Sequence, residues 1–102
     1  PRCLVIGVGS TLLMLASFYG PGFHGNLTAS GSIYNQYSAT AAHKSLPFGT
    51  KLSVCYKTCE VVTITDRGPY IGARELDLSL GTADRIGMYD VGVADVKVTR
   101  LN

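Results

Sequence analysis

VVTITDRGPYIGARELDLS, residues 61–79, is the stretch on which the reading of the chain turns. Side chains alternate from face to face along a strand, so Val62, Ile64 and Asp66 are expected on one face of a β-run. Gly68 and Pro69 then stop it, Pro because it has no N–H for a ladder and Gly because it admits unusual φ. Asp66 and Arg67 are therefore expected at the rim of the core that the strand enters. A carboxylate beside apolar neighbours and an adjacent cation has surroundings that tune an acid. The competing reading is that Asp66 caps the turn through an Asx hydrogen bond.

Immediately upstream, KLSVCY and CEVVTIT read as two β-runs joined by Tyr56, Lys57 and Thr58. Leu52 and Val54 share one face of the first run and Cys55 the other, while Cys59 is opposite in parity to Val62 and Ile64. Both thiols then face outward, directly across from each other. A Cys55–Cys59 disulfide is feasible if they form a non-hydrogen-bonded pair, and it would argue for an oxidising, extracytoplasmic location. The alternative is two reduced surface thiols, since C-x₃-C with one further cysteine and a distant His is a poor zinc signature.

Downstream, Leu76 and Leu78 are expected inward, and Ser79 is a candidate N-cap for a short helix over LGTADRIG that Gly87 closes. Gly81 weakens that helix by about 1 kcal/mol relative to Ala. Alternation in VGVADVKVTRL, residues 91–101, predicts a closing strand. Residues 17–32 are a turn-dense loop whose Phe18, Tyr19, Phe23 and His24 could stack on a sugar. Asn26-Leu27-Thr28 matches a glycosylation sequon, a pattern common by chance.

Residues 1–16 are apolar and too short for the roughly 20 residues a bilayer span needs. They read as an extra strand or a fragment of an upstream region, with Gly7 to Ser10 as a turn and Cys3 left over. The resulting division is 1–15 and 16–102. At 102 residues, 46% hydrophobic and 16% charged, with 12 glycines, the chain suits one small β-rich barrel with tight turns. Its nine basic residues are scattered and the net charge is +2, so nothing tracks a phosphate backbone and nucleic acid is excluded as a partner.

Taken together, ASFYGPGFHGNLTASG, TAAHKSLPFGT, TITDRGPY, RELDLS, RIGM and GVADVKV resemble, in order and approximate spacing over residues 16–101, the RlpA-like double-psi β-barrel domain. This is the rare lipoprotein A, or septal lytic transglycosylase, family related to expansins. The resemblance implies a mainly β fold, a six-stranded double-psi barrel with one or two short helices. It also implies a cell-envelope or secreted location, no cofactor or metal, and peptidoglycan glycan strands as partner, with neighbouring domains or assembly subunits besides. The implied activity is lytic cleavage of MurNAc–GlcNAc bonds. Carried over by motif, Asp66 and His43 are the catalytic candidates. Ser17, Tyr19, His24, Ser32, Tyr34, Arg67 and Tyr70 are the candidate glycan contacts. Where members thought to be catalytic read A-x-G-E, this chain has Ser32 in place of the glutamate.

Seven acids are available to replace it: Glu60, Asp66, Glu75, Asp77, Asp84, Asp90 and Asp95. Glu60 is six residues before Asp66, roughly 20 Å at strand rise, too far to form a pair with it. Hydrolysis by two carboxylates is disfavoured on that ground. A lytic transglycosylase can instead use Asp66 alone, first as acid to the leaving oxygen and then as base to the C6 hydroxyl, with His43 or Ser32 orienting the sugar. The alternatives are a groove that binds glycan without cutting it, as expansins do, and a structural module of an envelope, secreted or phage tail assembly.

Overall fold

The computed structural model describes residues 6–102. The readings of Cys3 and of the first five residues lie outside them. Six strands and one helix follow in the order β1 (Thr11–Phe18), β2 (Thr40–His43), β3 (Lys51–Cys55), β4 (Cys59–Asp66), β5 (Leu76–Leu78), α1 (Leu80–Ile86) and β6 (Ala94–Arg100). The strands close into a barrel ordered β1-β5-β2-β4-β3-β6, with β1/β5 and β2/β4 parallel and the other pairs antiparallel. This is the mainly β barrel that the sequence implied, with a single short helix. β1 runs across residue 16, where the sequence reading drew its boundary, and the expected turn is present as a Ser10 N–H bond to the Gly7 carbonyl at 2.9 Å.

Alternation decides what enters the barrel. Met14, Ala41, Leu52, Val54, Val62, Ile64, Leu76, Leu78, Val96 and Val98 fill the interior, and Ala83, Ile86 and Met88 join them from the helix and the turn after it. Fully burying an aliphatic side chain of this size contributes about 1.5–3 kcal/mol, so this interior is the main source of stability. In the β3–β4 hairpin Cys55 pairs with Cys59 at a Cα separation of 4.0 Å, and the two are joined by a disulfide on the outer face. Both face outward as their parity predicts, and of the two alternatives for the thiols the structure has the disulfide.

Ser79 caps α1, its hydroxyl accepting the Thr82 N–H, and Gly87 ends it at φ +88°, a left-handed turn that glycine adopts without penalty. Thr82 and Arg85 fasten the helix to β4 through Glu60: Thr82 Oγ1 donates at 2.8 Å and Arg85 Nε at 2.7 Å. That ion pair holds the Glu60 carboxyl below its ordinary range. Gly81, costly on propensity alone, has a steric reason. Its N–H bonds the Gln36 carbonyl at 2.7 Å, and a Cβ there would come within 2.8 Å of that oxygen. Gly81→Ala is therefore expected to destabilise the domain by about 1–3 kcal/mol, overriding the gain in helix propensity. Urea unfolding measures it, and a stabilised variant would contradict the packing argument.

Candidate functional site

The site is built from one register row on the outside of the barrel. Ser17 on β1 pairs with Asp77 on β5, Asp77 with Ala42 on β2, and Ala42 with Asp66 on β4. Strict alternation would keep Asp66 on the core face with Val62 and Ile64. The pairing instead steps from Ala41↔Ile64 to Ala42↔Asp66, so Thr65 is an extra residue in β4. A bulge of this kind re-aims the residue after it, and Asp66 faces outward with Ala42 and Asp77. Asp66 and Asp77 thus stand two strand spacings apart, about 10 Å between Cα atoms. Between them is only the methyl of Ala42.

Residues 19–37 cover this row and leave a cleft of about 530 Å³, walled by Tyr19, Tyr34, Asp66, Tyr70, Arg74 and Asp77 among others. Three donors converge on Asp66: Tyr19 Oη reaches Oδ2 at 2.6 Å, and the N–H groups of Ala29 and Arg67 reach Oδ1 at 2.8 and 2.9 Å. One local bond, from the Arg67 N–H at the turn, thus joins two long-range ones from Tyr19 and Ala29. Tyr19 stacks on Tyr34 with ring centroids 4.6 Å apart and meets the edge of Phe23 at 5.7 Å. Burial, reinforced by the bond to Asp66, pushes the Tyr19 phenol well above its ordinary pKa, so it stays a donor.

Asp77 is in a different situation. It accepts one hydrogen bond, from Ser17 Oγ at 3.1 Å. Burial raises its pKa above the ordinary carboxylate value, and the negative charge of Asp66 adds to the rise. The Ser17 bond and the Arg74 cation only partly oppose it. Sequence reading set Asp77 aside with Glu75 as part of the strand leading to the helix. The alternation of Leu76, Asp77 and Leu78 did mark it as outward-facing, but only the parallel β1/β5 pairing shows what lies beside it.

The other candidates divide. Ser17, Tyr19, Tyr34, Arg67 and Tyr70 line the cleft with Asp66. The Arg67 guanidinium, however, donates to the carbonyls of Leu46 at 2.8 Å and His43 at 3.3 Å and lies 4.0 Å over the Phe48 ring. Ser32 joins Thr28 and Ser30 in a cluster of hydroxyls at 2.8 and 3.0 Å, next to the Ala29 N–H that holds Asp66. His24 takes the Gln36 N–H on Nδ1 and turns its ring toward Tyr37, away from the cleft wall. His43 is at the same end of the barrel as Asp66 but behind the wall. Its Nδ1 accepts the N–H groups of Ser45 and Leu46, both at 3.1 Å.

Burial, with Arg67 and Lys44 nearby, lowers the His43 pKa below 6.5. Protonation would put a hydrogen on the Nδ1 lone pair that holds both backbone donors. The unfolded chain binds that proton more readily, so the stabilisation is complete above pH 6.5 and is lost as pH falls through the folded-state value. His43→Ala is expected to lower stability by about 1–3 kcal/mol at pH 7.5, because two N–H groups lose their acceptor, and by less at pH 5. Denaturant titrations at the two pH values check this. An equal loss at both would show that the imidazole is not held neutral.

Comparison with known proteins adds two sets of likenesses. A family model described as lytic transglycolase matches residues 13–98. The chain is 51% identical over 85 residues to a probable endolytic peptidoglycan transglycosylase RlpA of Synechocystis, covering 80% of this chain and 26% of that protein. It is 45% identical over 97 residues to the endolytic peptidoglycan transglycosylase RlpA of Campylobacter jejuni, covering 92% and 35%. The chain therefore spans only about a quarter to a third of the length of these relatives. Among solved structures, a Streptomyces papain inhibitor superposes with a TM-score of 0.75 at 18% identity, covering 96% of this chain and 100% of the inhibitor. A point mutant of a Clavibacter michiganensis expansin in complex with cellohexaose gives 0.74 at 17% identity, covering 91% and 51%. At these identities the two structures bear on the fold alone.

Proposed function

The chain belongs to the lytic transglycolase family, and from that premise we propose that its cleft cuts the MurNAc–GlcNAc bond of peptidoglycan, outside the cytoplasm, without water as nucleophile. The observation that carries this reading is the pair of outward carboxylates flanking Ala42, one held by three donors and the other half-buried with a raised pKa. The acid/base work that the sequence reading gave to Asp66 passes here to Asp77, and Asp66 keeps an electrostatic role.

Asp77, in its protonated form, gives its proton to the leaving glycosidic oxygen as the C1–O bond breaks. The MurNAc ring then carries positive charge at C1. Asp66, fixed by Tyr19, Ala29 and Arg67, supplies a preorganised negative charge to that ion. The C6 hydroxyl attacks C1 and returns its proton to the Asp77 carboxylate, which leaves a 1,6-anhydro end and restores the acid. One residue serves in both steps because both protons move on the same side of the ring. This is how the domain would manage with Ser32 where the family pattern has a glutamate: the hydroxyl cluster of Thr28, Ser30 and Ser32 binds sugar hydroxyls and leaves the proton to Asp77. The activity named for the relatives supports the same reaction, and the outer-face disulfide the same location.

The test is release of soluble anhydro-products from sacculi, both intact and stripped of stem peptides, followed by mass spectrometry. Asp77→Asn is expected to slow release by at least about 100-fold. In the parent protein the rate should fall as pH rises through the raised pKa of Asp77, because an acid must hold its proton. Asp66→Asn should lower the rate and keep an alkaline limb, moved to lower pH because the charge that helps to raise Asp77 is gone. An unimpaired Asp77→Asn protein would remove the assignment, and sacculi bound but uncut by the parent would make the domain a glycan-binding module.

A further inference from the structure

A second hollow, about 360 Å³, lies between the loop ahead of β2 and helix α1, bordered by Gln36, Tyr37, Gly81, Asp84, Arg85 and Tyr89. Its two tyrosines are well exposed, Tyr37 at 68% and Tyr89 at 53%. Neither ring is loose. Tyr37 is held against the His24 ring at 5.5 Å and its N–H against Asn35 Oδ1 at 2.9 Å, while Tyr89 stacks on Phe18 at 5.5 Å with the planes 22° apart. Exposed aromatic faces fixed from behind suit a ligand with an apolar face and a polar edge, and they lose little entropy on binding it.

The polar groups fit the edge of such a ligand. Among the described residues the Gln36 carboxamide and the Asp84 carboxylate have no hydrogen-bond partner in the protein, which leaves an amide and a strong acceptor free. Arg85 spends Nε and Nη2 on Glu60, and its Nη1 is left over the floor, 2.9 Å from where a Cβ on residue 81 would lie. Glycine at 81 is what lets the floor be this low. A pyranose ring bearing hydroxyls and an acetamido group matches this set: a CH face for the tyrosines, an amide for Gln36 and Arg85, and hydroxyl protons for Asp84.

The hollow also adjoins the cleft. Phe18 lines the cleft and carries Tyr89 on its other side. Tyr34 lines the cleft and accepts, through its hydroxyl, the N–H of Leu80 at 3.1 Å, and Leu80 lines the hollow. One wall thus separates the two. We infer that the hollow between Tyr37 and Tyr89 is a second saccharide site, which takes an N-acetylhexosamine unit of the strand held in the cleft. The inference rests on the glycan reading of the cleft.

The probe is the hexamer of β-1,4-linked N-acetylglucosamine, titrated into the Asp77→Asn protein and followed by backbone amide shifts. Shifts are expected at Gln36, Tyr37, Gly81 and Asp84 as well as at the cleft residues Tyr19, Ala29 and Asp66. Adding Tyr37→Ala should weaken binding about tenfold, equivalent to ~1.4 kcal/mol. Asp84→Ala should weaken it less, and both variants should stay folded at the temperature of the titration. Shifts confined to the cleft, or an unchanged affinity with Tyr37→Ala, would overturn the second site and leave the cleft reading standing. No shift anywhere, together with no cleavage of sacculi by the parent, would remove both.

Discussion

The extra residue in β4 is the constraint on which the site depends. Without Thr65 as a bulge, the period of two would send Asp66 into the barrel beside Val62 and Ile64, where a carboxylate would have to be neutralised or matched by buried donors. With it, Asp66 emerges in line with Ala42 and Asp77. The bulge also frees the Thr65 carbonyl from the ladder, and that oxygen takes the N–H of Ser30 at 3.2 Å, while the next residue back, Ala29, gives its N–H to Asp66. One inserted residue therefore turns the acid outward and fastens the loop that encloses it. The acid and the roof of its cleft are one local device.

The hairpin, the outward cysteines and the capped helix were legible because each is decided within about ten residues. Parity fixes a two-stranded register once the loop length is known, and Ser79 and Gly87 are cap residues by their own chemistry. The motif resemblance gave the barrel, which local patterns alone could not have closed. Asp66 was legible as a rim residue but not as an outward one, since a bulge shows itself only in the pairing of β4 with β2. Asp77 was hidden for a related reason. What makes it chemically distinct is the company of Ser17, sixty residues away, and of Asp66 across β2, and no spacing within LDL records either. His43 shows the opposite case, a conspicuous residue in a conspicuous motif whose ring is engaged in holding a turn.

Two carboxylates of the same residue type on one face of a sheet stand in unlike surroundings. Asp66 receives three donors and Asp77 one, and the covering loop shields Asp77 from water without supplying it further partners. The loop also supplies Tyr19, whose raised pKa ensures that it gives a proton to a hydrogen bond and does not compete as a base. The unlike surroundings of the two acids therefore come from how 19–37 folds over the row at least as much as from the row itself. A helix pinned by Glu60 and a loop pinned by Gly81 to that helix make this cover continuous with the body of the domain.

The barrel is closed by β1 pairing with β5 on one side and β6 on the other, so the first strand waits for the last two. Such pairing across the full length of the chain carries a large loop-closure entropy and makes folding slow relative to a helical domain of this size. While the chain is still being made, β1 has no native partner, and the barrel cannot complete itself prematurely. Closure of the barrel is therefore a late, all-or-none event, because the strand made first takes its place only when the last one is available.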